Sequence, residues 1–341
     1  MELKVADEGD KNSWDDLVFS SDNSTLYHTW DWLVKMNEHS SIKVFSGSID
    51  PVLYRLMAYE GSELYGLIPL YVYKFLSVNI VFSPPVGVEN SYLGPVIKKY
   101  DDIKLRNKYS KFIVFQKVLD GFMKDHLMSD VIKIDMSPFP YDPRSFIWSG
   151  YSVVPRHTYV LSLKEGKDVV WTNIHINLRS EIKKARKAGI VIEEGSKEHI
   201  DQLFDLMVKR GRIHTSREYI HDIYDDFSRG YVKLFIAKKD DQFLTGVLIT
   251  YYKKKVDAWI GAPGLLFGNL NLNGILLWHT IEWACSQGYD YYEIIGADTP
   301  ELFPFKNKFN AELRHYYSMR WYSPLIRIGK GIYHSFKPEF R

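Results

Sequence analysis

The sequence contains a single cysteine, Cys285, in 341 residues. This excludes an intramolecular disulfide and a cysteine-built zinc knuckle, and it suits a reducing compartment. Long apolar runs are missing as well. The longest, Gly66 to Tyr73, stops at Lys74, well short of the ~20 residues that a membrane-spanning helix requires. Met1 to Trp14 mixes acids with polar residues and has no apolar signal core, so neither a secretory nor a transit peptide is expected. These absences predict a cytoplasmic protein with no transmembrane segment. The chain has no G-x-S-x-G elbow, no H-E-x-x-H and no G-x-x-x-x-G-K-[ST], which removes the serine-hydrolase, zincin and P-loop readings. His175, His199, His214, His221 and His279 are dispersed, with no i, i+4 pair among them, so no metal site is expected. No tightly bound cofactor and no DNA partner are expected either.

What is present describes an ordinary globular chain, 45% hydrophobic and 25% charged. At ~150 residues per domain the length predicts two domains. Ser137 to Pro143 carries three prolines, which oppose regular structure and place the boundary near Gly150, giving domains 1–150 and 151–341. In the second half, Ile174, Leu178, Ile182 and Ala185 keep helical spacing from Asn173 to Gly189. Five cations lie between Arg179 and Lys187 against one acid, Glu181; this face either meets an anion or is simply solvated. Ile200, Leu203, Phe204 and Met207 mark a second helix, and Ser216 caps a third. Val232–Ala237, Leu244–Tyr252 and Val256–Gly261 read as antiparallel strands turning at Asp240-Asp241 and Lys253-Lys254-Lys255. A helix capped by Asn273 and closed by Gly288 follows, then a buried strand from Tyr291 to Ile295 and a last strand around Leu313 to Met319. The first half repeats this order: helices near Trp14–Phe19 and Trp30–Asn37, strands near Leu53–Tyr59, Leu64–Val72 and Val78–Phe82, a helix over Tyr109–His126, and a strand at Val131–Asp135.

The order of elements resembles the GNAT acyltransferase fold. The predicted class is therefore α/β (α+β), with two tandem GNAT-like domains, each a mostly antiparallel mixed sheet flanked by helices. Several stretches resemble the Fem aminoacyltransferases and their FemAB-like relatives. These are Leu178–Gly189, with its arginine and lysine-alanine pair; Leu277–Ala284 leading to Gly288–Glu293; Phe305-Lys306 ahead of Phe309; and, in the first half, Tyr92-Leu93-Gly94-Pro95-Val96 and the segment ending in Trp32. The long two-helix coiled-coil arm common in cell-wall members is not visible here, and with it goes one expected tRNA contact. The resemblance implies a transferase moving an aminoacyl or acyl group onto an amine of a cell-envelope precursor, peptide or amino sugar, with aminoacyl-tRNA or acyl-CoA as donor. Peripheral membrane contact is compatible with it. The alternatives are an acetyl-CoA-dependent N-acetyltransferase and a non-catalytic binding protein on the GNAT scaffold.

Acyl transfer to an amine proceeds by direct attack on an ester or thioester, so no covalent enzyme intermediate is needed. Cys285, inside a helix, reads as an inert thiol. The resemblance singles out Phe305 and Lys306 for the transfer step. There the lysine ammonium would project into the cleft and stabilise the oxyanion; otherwise its stem covers Phe309 on an exposed helix. Asp298 either orients the amine or caps the Thr299-Pro300 turn. Arg179, Lys183 and Arg217 are candidates for an anionic group of the substrate, with surface salt bridges as the alternative for the two arginines. Tyr219 and Trp259 are candidates for a cleft wall, with core packing as the alternative, and Trp32 and Tyr92 are the substrate contacts implied for the first half. The loop Gly264–Gly274 either cradles a pyrophosphate at a helix N-terminus or is a plain capped turn.

Overall fold

The computed structural model describes residues 1–44, 47–211, 215–262 and 266–328. The chain forms two compact units: Met1–Arg156 together with the chain from Tyr316 onward, and His157–His315.

In the first unit the strands are β1 (Glu2–Val5), β2 (Ile42–Val44), β3 (Gly47–Ile49), β4 (Val52–Glu60), β5 (Glu63–Phe75), β6 (Val78–Ser83), β7 (Val96–Ile97) and β8 (Val131–Asp135). The helices are α1 (Lys11–Ser20), α2 (Trp30–Glu38), α3 (Leu105–Gly121), extended by a π turn over Phe122–His126, and α4 (Arg144–Trp148). The main sheet runs β1–β4–β5–β6–β8, antiparallel except for the parallel β6–β8 pair. The apolar run Gly66–Tyr73 lies in β5, buried from Tyr65 to Tyr73. A strand covered on both faces has no reason to alternate, which explains the unbroken run. Phe112, Phe115 and Leu119 of α3 share its buried face and pack with Ile68, Leu70, Ile132 and Ile134.

The parallel pair β6–β8 ends at Ser83↔Ile134. Beyond it the segment after Tyr92 enters as a wedge. Leu93 donates to the Asp135 carbonyl at 2.8 Å and forms a parallel bridge with Met136, while Gly94 donates to Ser83 Oγ at 3.2 Å. Gly94 has φ +74, and a Cβ there would lie 3.0 Å from Met136 Cα.

In the second unit the strands are β9 (Ser152–Ser162), β10 (Val191–Glu194), β11 (Val232–Lys239), β12 (Gln242–Tyr252), β13 (Lys255–Gly261), β14 (Leu266–Phe267), β15 (Leu270–Asn271) and β16 (Tyr291–Ile294). The helices are α5 (Lys167–Asn173), α6 (Ile176–Lys187), α7 (Glu198–Lys209), α8 (Arg217–Phe227), α9 (Leu272–Ser286) and α10 (Phe303–Lys306). The sheet order is β9–β16–β13–β12–β11–β10, antiparallel except for the parallel β13–β16 pair. Helix α9 covers one face: Trp283 meets Phe235 and Tyr251 at 5.8 and 5.3 Å, and Thr280 Oγ1 lies 2.6 Å from the Tyr292 hydroxyl. Gly274 lets α9 approach α6 closely, since a Cβ there would stand 2.9 Å from Leu178 Cδ1. The last strand, β17 (Glu312–Tyr322), pairs Ser318–Tyr322 with β8.

Three local expectations are corrected. The helix expected from Asn173 to Gly189 is two helices, because Ile174 is extended and His175 caps α6 by accepting from Asn177 N through Nδ1. The cap of α9 is Asn271, not Asn273, and its side chain accepts from Asn273 N at 3.1 Å. The first unit also extends beyond a cut at residue 150, because the β17 segment from Tyr316 belongs to it through pairing with β8.

Replacing Gly94 with alanine should cost about 1–3 kcal/mol, since an L side chain is strained at this φ and the Cβ presses on Met136. At roughly 2–4 °C per kcal/mol, calorimetry should show a melting midpoint several degrees lower, whereas Gly61→Ala, with φ +62 and open space around it, carries only the backbone cost.

Candidate active site

The parallel ladder of β13 and β16 runs from Lys255↔Tyr291 to Ala258↔Ile294 and stops there. Strand β13 continues to Gly261 against β12, but its register jumps from Ile249↔Ala258 to Leu248↔Ile260. Trp259 is therefore the extra residue of a β-bulge, which bends the strand. The chain after Ile294 leaves the ladder, and the carbonyls of Ile295 and Gly296 are taken by Lys306 Nζ. Ala297 N then donates to the His157 carbonyl at 3.0 Å, and the Asp298 carboxylate receives His157 N at 3.3 Å and faces Nδ1 at 2.8 Å. The two parallel strands thus part at their carboxyl ends, the usual place for a ligand in a sheet of this kind.

A row of charges runs along this strand pair, with Asp257 and Glu293 buried and Lys255 partly buried. Lys255 Nζ lies 2.7 Å from Glu293 Oε2 and 3.0 Å from Asp257 Oδ1, and Thr158 Oγ1 donates to Glu293 Oε1 at 2.7 Å. Glu293 and Tyr292 alternate along β16, so with Tyr292 bonded to α9 the Glu293 carboxylate faces the other side of the sheet. Burial pushes the Asp257 carboxyl up to about 7; Lys255 opposes the shift and the Glu293 carboxylate adds to it. Burial acts against the Lys255 charge, but the attraction of Asp257 and Glu293 outweighs it and holds the ammonium above its ordinary range.

Lys306 is buried, only 8% exposed, and burial lowers its Nζ to about 8 against the attraction of Glu293. The expectation of an ammonium projecting freely is corrected, because its nitrogen is held on two main-chain carbonyls. Phe305 is half-buried, edge-on to the fully buried Phe309 at 5.5 Å. Asp298 does not cap Thr299; its carboxylate is engaged by His157. Arg217 bonds Asp201 and Asp205 at 2.6 and 2.5 Å, so the salt-bridge alternative holds and the guanidinium is committed. Arg179 donates to the Thr172 carbonyl at the end of α5, while Lys183 is exposed. Tyr219 is fully buried and edge-on to Trp259 at 6.1 Å, so these two pack in the core beside the bulge. Trp32 and Tyr92 are also fully buried, both against Tyr27, and Tyr92 adjoins the wedge of the first unit. Neither ring offers surface to a substrate.

Of the loop proposed for pyrophosphate, Gly264 and Leu265 lie outside the described residues, as does His214. Cys285 is half-buried and burial raises its thiol. It borders a cleft of about 540 Å³ with Lys167, His279, Glu282 and Trp283, and none of the predicted site residues lines that cleft.

Sequence reasoning passed over Lys255, Asp257, Glu293, Thr158 and His157. A signal was available: Lys255 and Asp257 alternate onto one strand face, and Glu293 interrupts an otherwise apolar buried strand.

Residues 174–307 match the acetyltransferase (GNAT) domain family. A search of the curated proteins gave no match. Among solved structures, FemX is similar over 96% of this chain and 99% of its own, at 15% identity and a TM-score of 0.69. The C-terminal domain of a lysylphosphatidylglycerol synthetase from Agrobacterium fabrum is similar over 92% of both chains, at 12% identity and a TM-score of 0.52. A tandem GNAT protein from the clavulanic acid biosynthesis pathway covers 94% of this chain and 98% of its own, at 10% identity and a TM-score of 0.52. The fold so defined is that of two GNAT-like units, the second carrying the acetyltransferase domain match. The chain as a whole is similar in fold to FemX. Among the described residues no helix is long and apolar enough to cross a membrane.

The charge row makes stability depend on pH in a defined direction. Asp257 holds its proton more tightly folded than unfolded, so its contribution is present below the unfolded value of 3.8 and is lost as pH rises through about 7. Melting midpoints of the parent protein and of Asp257→Asn should therefore diverge between pH 4 and 7, with the parent declining relative to the variant; parallel curves would contradict the assignment.

Proposed function

We propose that the protein transfers an aminoacyl or acyl group onto an amine of a cell-envelope precursor, peptide or amino sugar, by direct attack at the β13–β16 divergence. The observation that carries this reading is the strand divergence: a parallel pair that ends at Ala258↔Ile294, a bulge at Trp259 on one side, and the nitrogen of Lys306 on the other. Such a divergence holds an extended acyl donor between the parted strands, and positioning supplies much of the acceleration in a bimolecular transfer. Phe305 fixes the short helix that carries Lys306, and Asp298 with His157 fixes the loop after β16.

Two donors are supported by different observations. The resemblance of Leu178–Gly189 and Phe305-Lys306 to the Fem aminoacyltransferases supports an aminoacyl donor, carried by tRNA, and the fold shared with FemX accords with it. The acetyltransferase domain match, and a tandem GNAT relative described with reference to AcCoA, support acyl-CoA. The acceptor or donor brings negative charge to α6, where Lys183, Lys184 and Lys187 are exposed.

Acetyl-CoA and a stable aminoacyl-tRNA analogue separate the donors. The true donor at ~100 times its Kd stabilises the fold by about 2.7 kcal/mol, which a thermal-shift assay reads directly, and a lack of response to both would remove the reading. Lys183→Gln combined with Lys184→Gln should weaken binding of that donor or of an anionic acceptor and flatten its salt dependence; an unchanged salt response would mean that the helix face is only solvated.

A further inference from the structure

One end of the first unit's sheet is gathered on a single carboxylate. Asp130 accepts from Asn79 N through Oδ2 and from Ser323 Oγ through Oδ1, each at 3.0 Å, while Ser323 N donates to the Asp130 carbonyl at 2.8 Å. Asn79 Nδ2 in turn donates to the carbonyls of Leu127 and Met128 at 3.0 and 3.3 Å. Three segments are therefore neighbours: the β5–β6 hairpin, the loop before β8, and the helical residues 324–328 after β17. Each presents apolar side chains to solvent. Leu76 at the hairpin tip is 91% exposed, Met128 67% and Leu325 78%, and Phe75 and Ile328 are exposed on the same segments.

Apolar residues scattered singly over a surface need no explanation, but these lie on segments bonded to one another. Two of them also stand where the backbone argues against them. The pair Phe75↔Val78 leaves Leu76-Ser77 as a two-residue hairpin turn, a place that favours Asn-Gly or Asp-Gly. Leu76 has φ +53 and Met128 φ +50, in the left-handed region that glycine and asparagine enter with least strain. Neither side chain gains much burial within the fold in return. Folding alone gives no reason for a leucine and a methionine at these turns.

We propose that this end of the first unit docks on the surface of an anionic lipid bilayer, with Leu76, Met128 and Leu325 entering the boundary between headgroups and acyl chains. The inference is independent of the chemistry of the second unit. The charges favour it. Lys74 is exposed at the hairpin, and of the two acids on the three segments Asp130 is spent on the bonds above, leaving Asp125 exposed. The sequence that continues from Ile328, residues 329–341, lies outside the described residues; it carries Lys330, Lys337 and Arg341 against Glu339, together with Tyr333, Phe336 and Phe340. Apolar tips and a basic, aromatic-bearing stretch supply the two contributions that peripheral binding combines, insertion and attraction to anionic headgroups. Separate tips on short turns also suit a fluid surface, which closes around each of them, whereas a protein partner would need a matched pocket for every one.

Flotation of the full chain tests this, with vesicles of phosphatidylcholine alone and of phosphatidylcholine and phosphatidylglycerol in equal parts. The protein should float with the mixed vesicles, less with phosphatidylcholine alone, and less again in added salt. Leu76→Asn combined with Met128→Asn should lower the partition coefficient ~10-fold or more. Its melting midpoint should be unchanged or raised, because asparagine suits both backbone positions. Leu325→Gln combined with Ile328→Gln, on a different segment, should lower partitioning as well. Lys330→Gln, Lys337→Gln and Arg341→Gln together should weaken binding to the mixed vesicles and leave binding to phosphatidylcholine unchanged. No flotation with the mixed vesicles, or equal flotation by the parent and both apolar pairs, overturns the proposal; so does indifference to phosphatidylglycerol. Sedimentation velocity without lipid gives the remaining check. A dimer that the asparagine pair dissociates would make a second copy of the chain the occupant of this face, and would overturn the proposal too.

Discussion

When a parallel strand pair comes to an end inside a protein, the carbonyls of the departing chain still need donors, and how they are supplied decides what the divergence can hold. The two units answer this differently. In the first, the peptide of Leu93 bonds Asp135 and bridges to Met136, and Gly94 bonds Ser83, so a stretch of main chain fills the gap. In the second, one side-chain nitrogen, that of Lys306, serves the carbonyls of Ile295 and Gly296. A nitrogen on a flexible stem satisfies the same kind of acceptor in far less volume than a peptide segment.

The buried row of Lys255, Asp257 and Glu293 is costly on its own terms. Desolvating three charged groups is repaid only when each is closely paired, and apolar residues of similar size would stabilise the sheet at least as well. The row also carries two carboxylates for one ammonium. Asp257 and Glu293 pair one residue before the ladder ends, whereas Lys255 stands in its first pair, and the Glu293 carboxylate supplies an electrostatic attraction that favours a charged Lys306.

Much of the architecture was legible in the chain itself. Helix α7 declares itself by apolar spacing, α8 by its Ser216 cap, the hairpin at Asp240-Asp241 by its paired turn residues, and β5 by an apolar run that reads as a buried strand. Phe305-Lys306 stood out by resemblance alone, since its four-residue helix has too little pattern to be read. Other positions were misread for a common reason. Arg217, Tyr219, Trp32 and Tyr92 are chemically suited to bind a substrate, and in the sequence they look the same whether they face a cleft or each other. Lys255 was taken as part of a turn because one of its two partners, Glu293, lies on β16, far along the chain.

The sequence by itself determined the element order, the two-unit plan and the type of chemistry open to the protein. These follow from local periodicity, from breakers such as the prolines of 137–143, and from the absence of nucleophile, metal and phosphate-loop motifs. Only the tertiary structure decided which polar groups are committed and which remain for chemistry. It assigned Arg217 to Asp201 and Asp205, Asp298 to His157, and Lys306 to two carbonyls. The physical reason is that burial and pairing are set by residues distant in sequence: a lysine keeps or loses its charge according to what surrounds its nitrogen, and that is fixed only when the strands have closed around it.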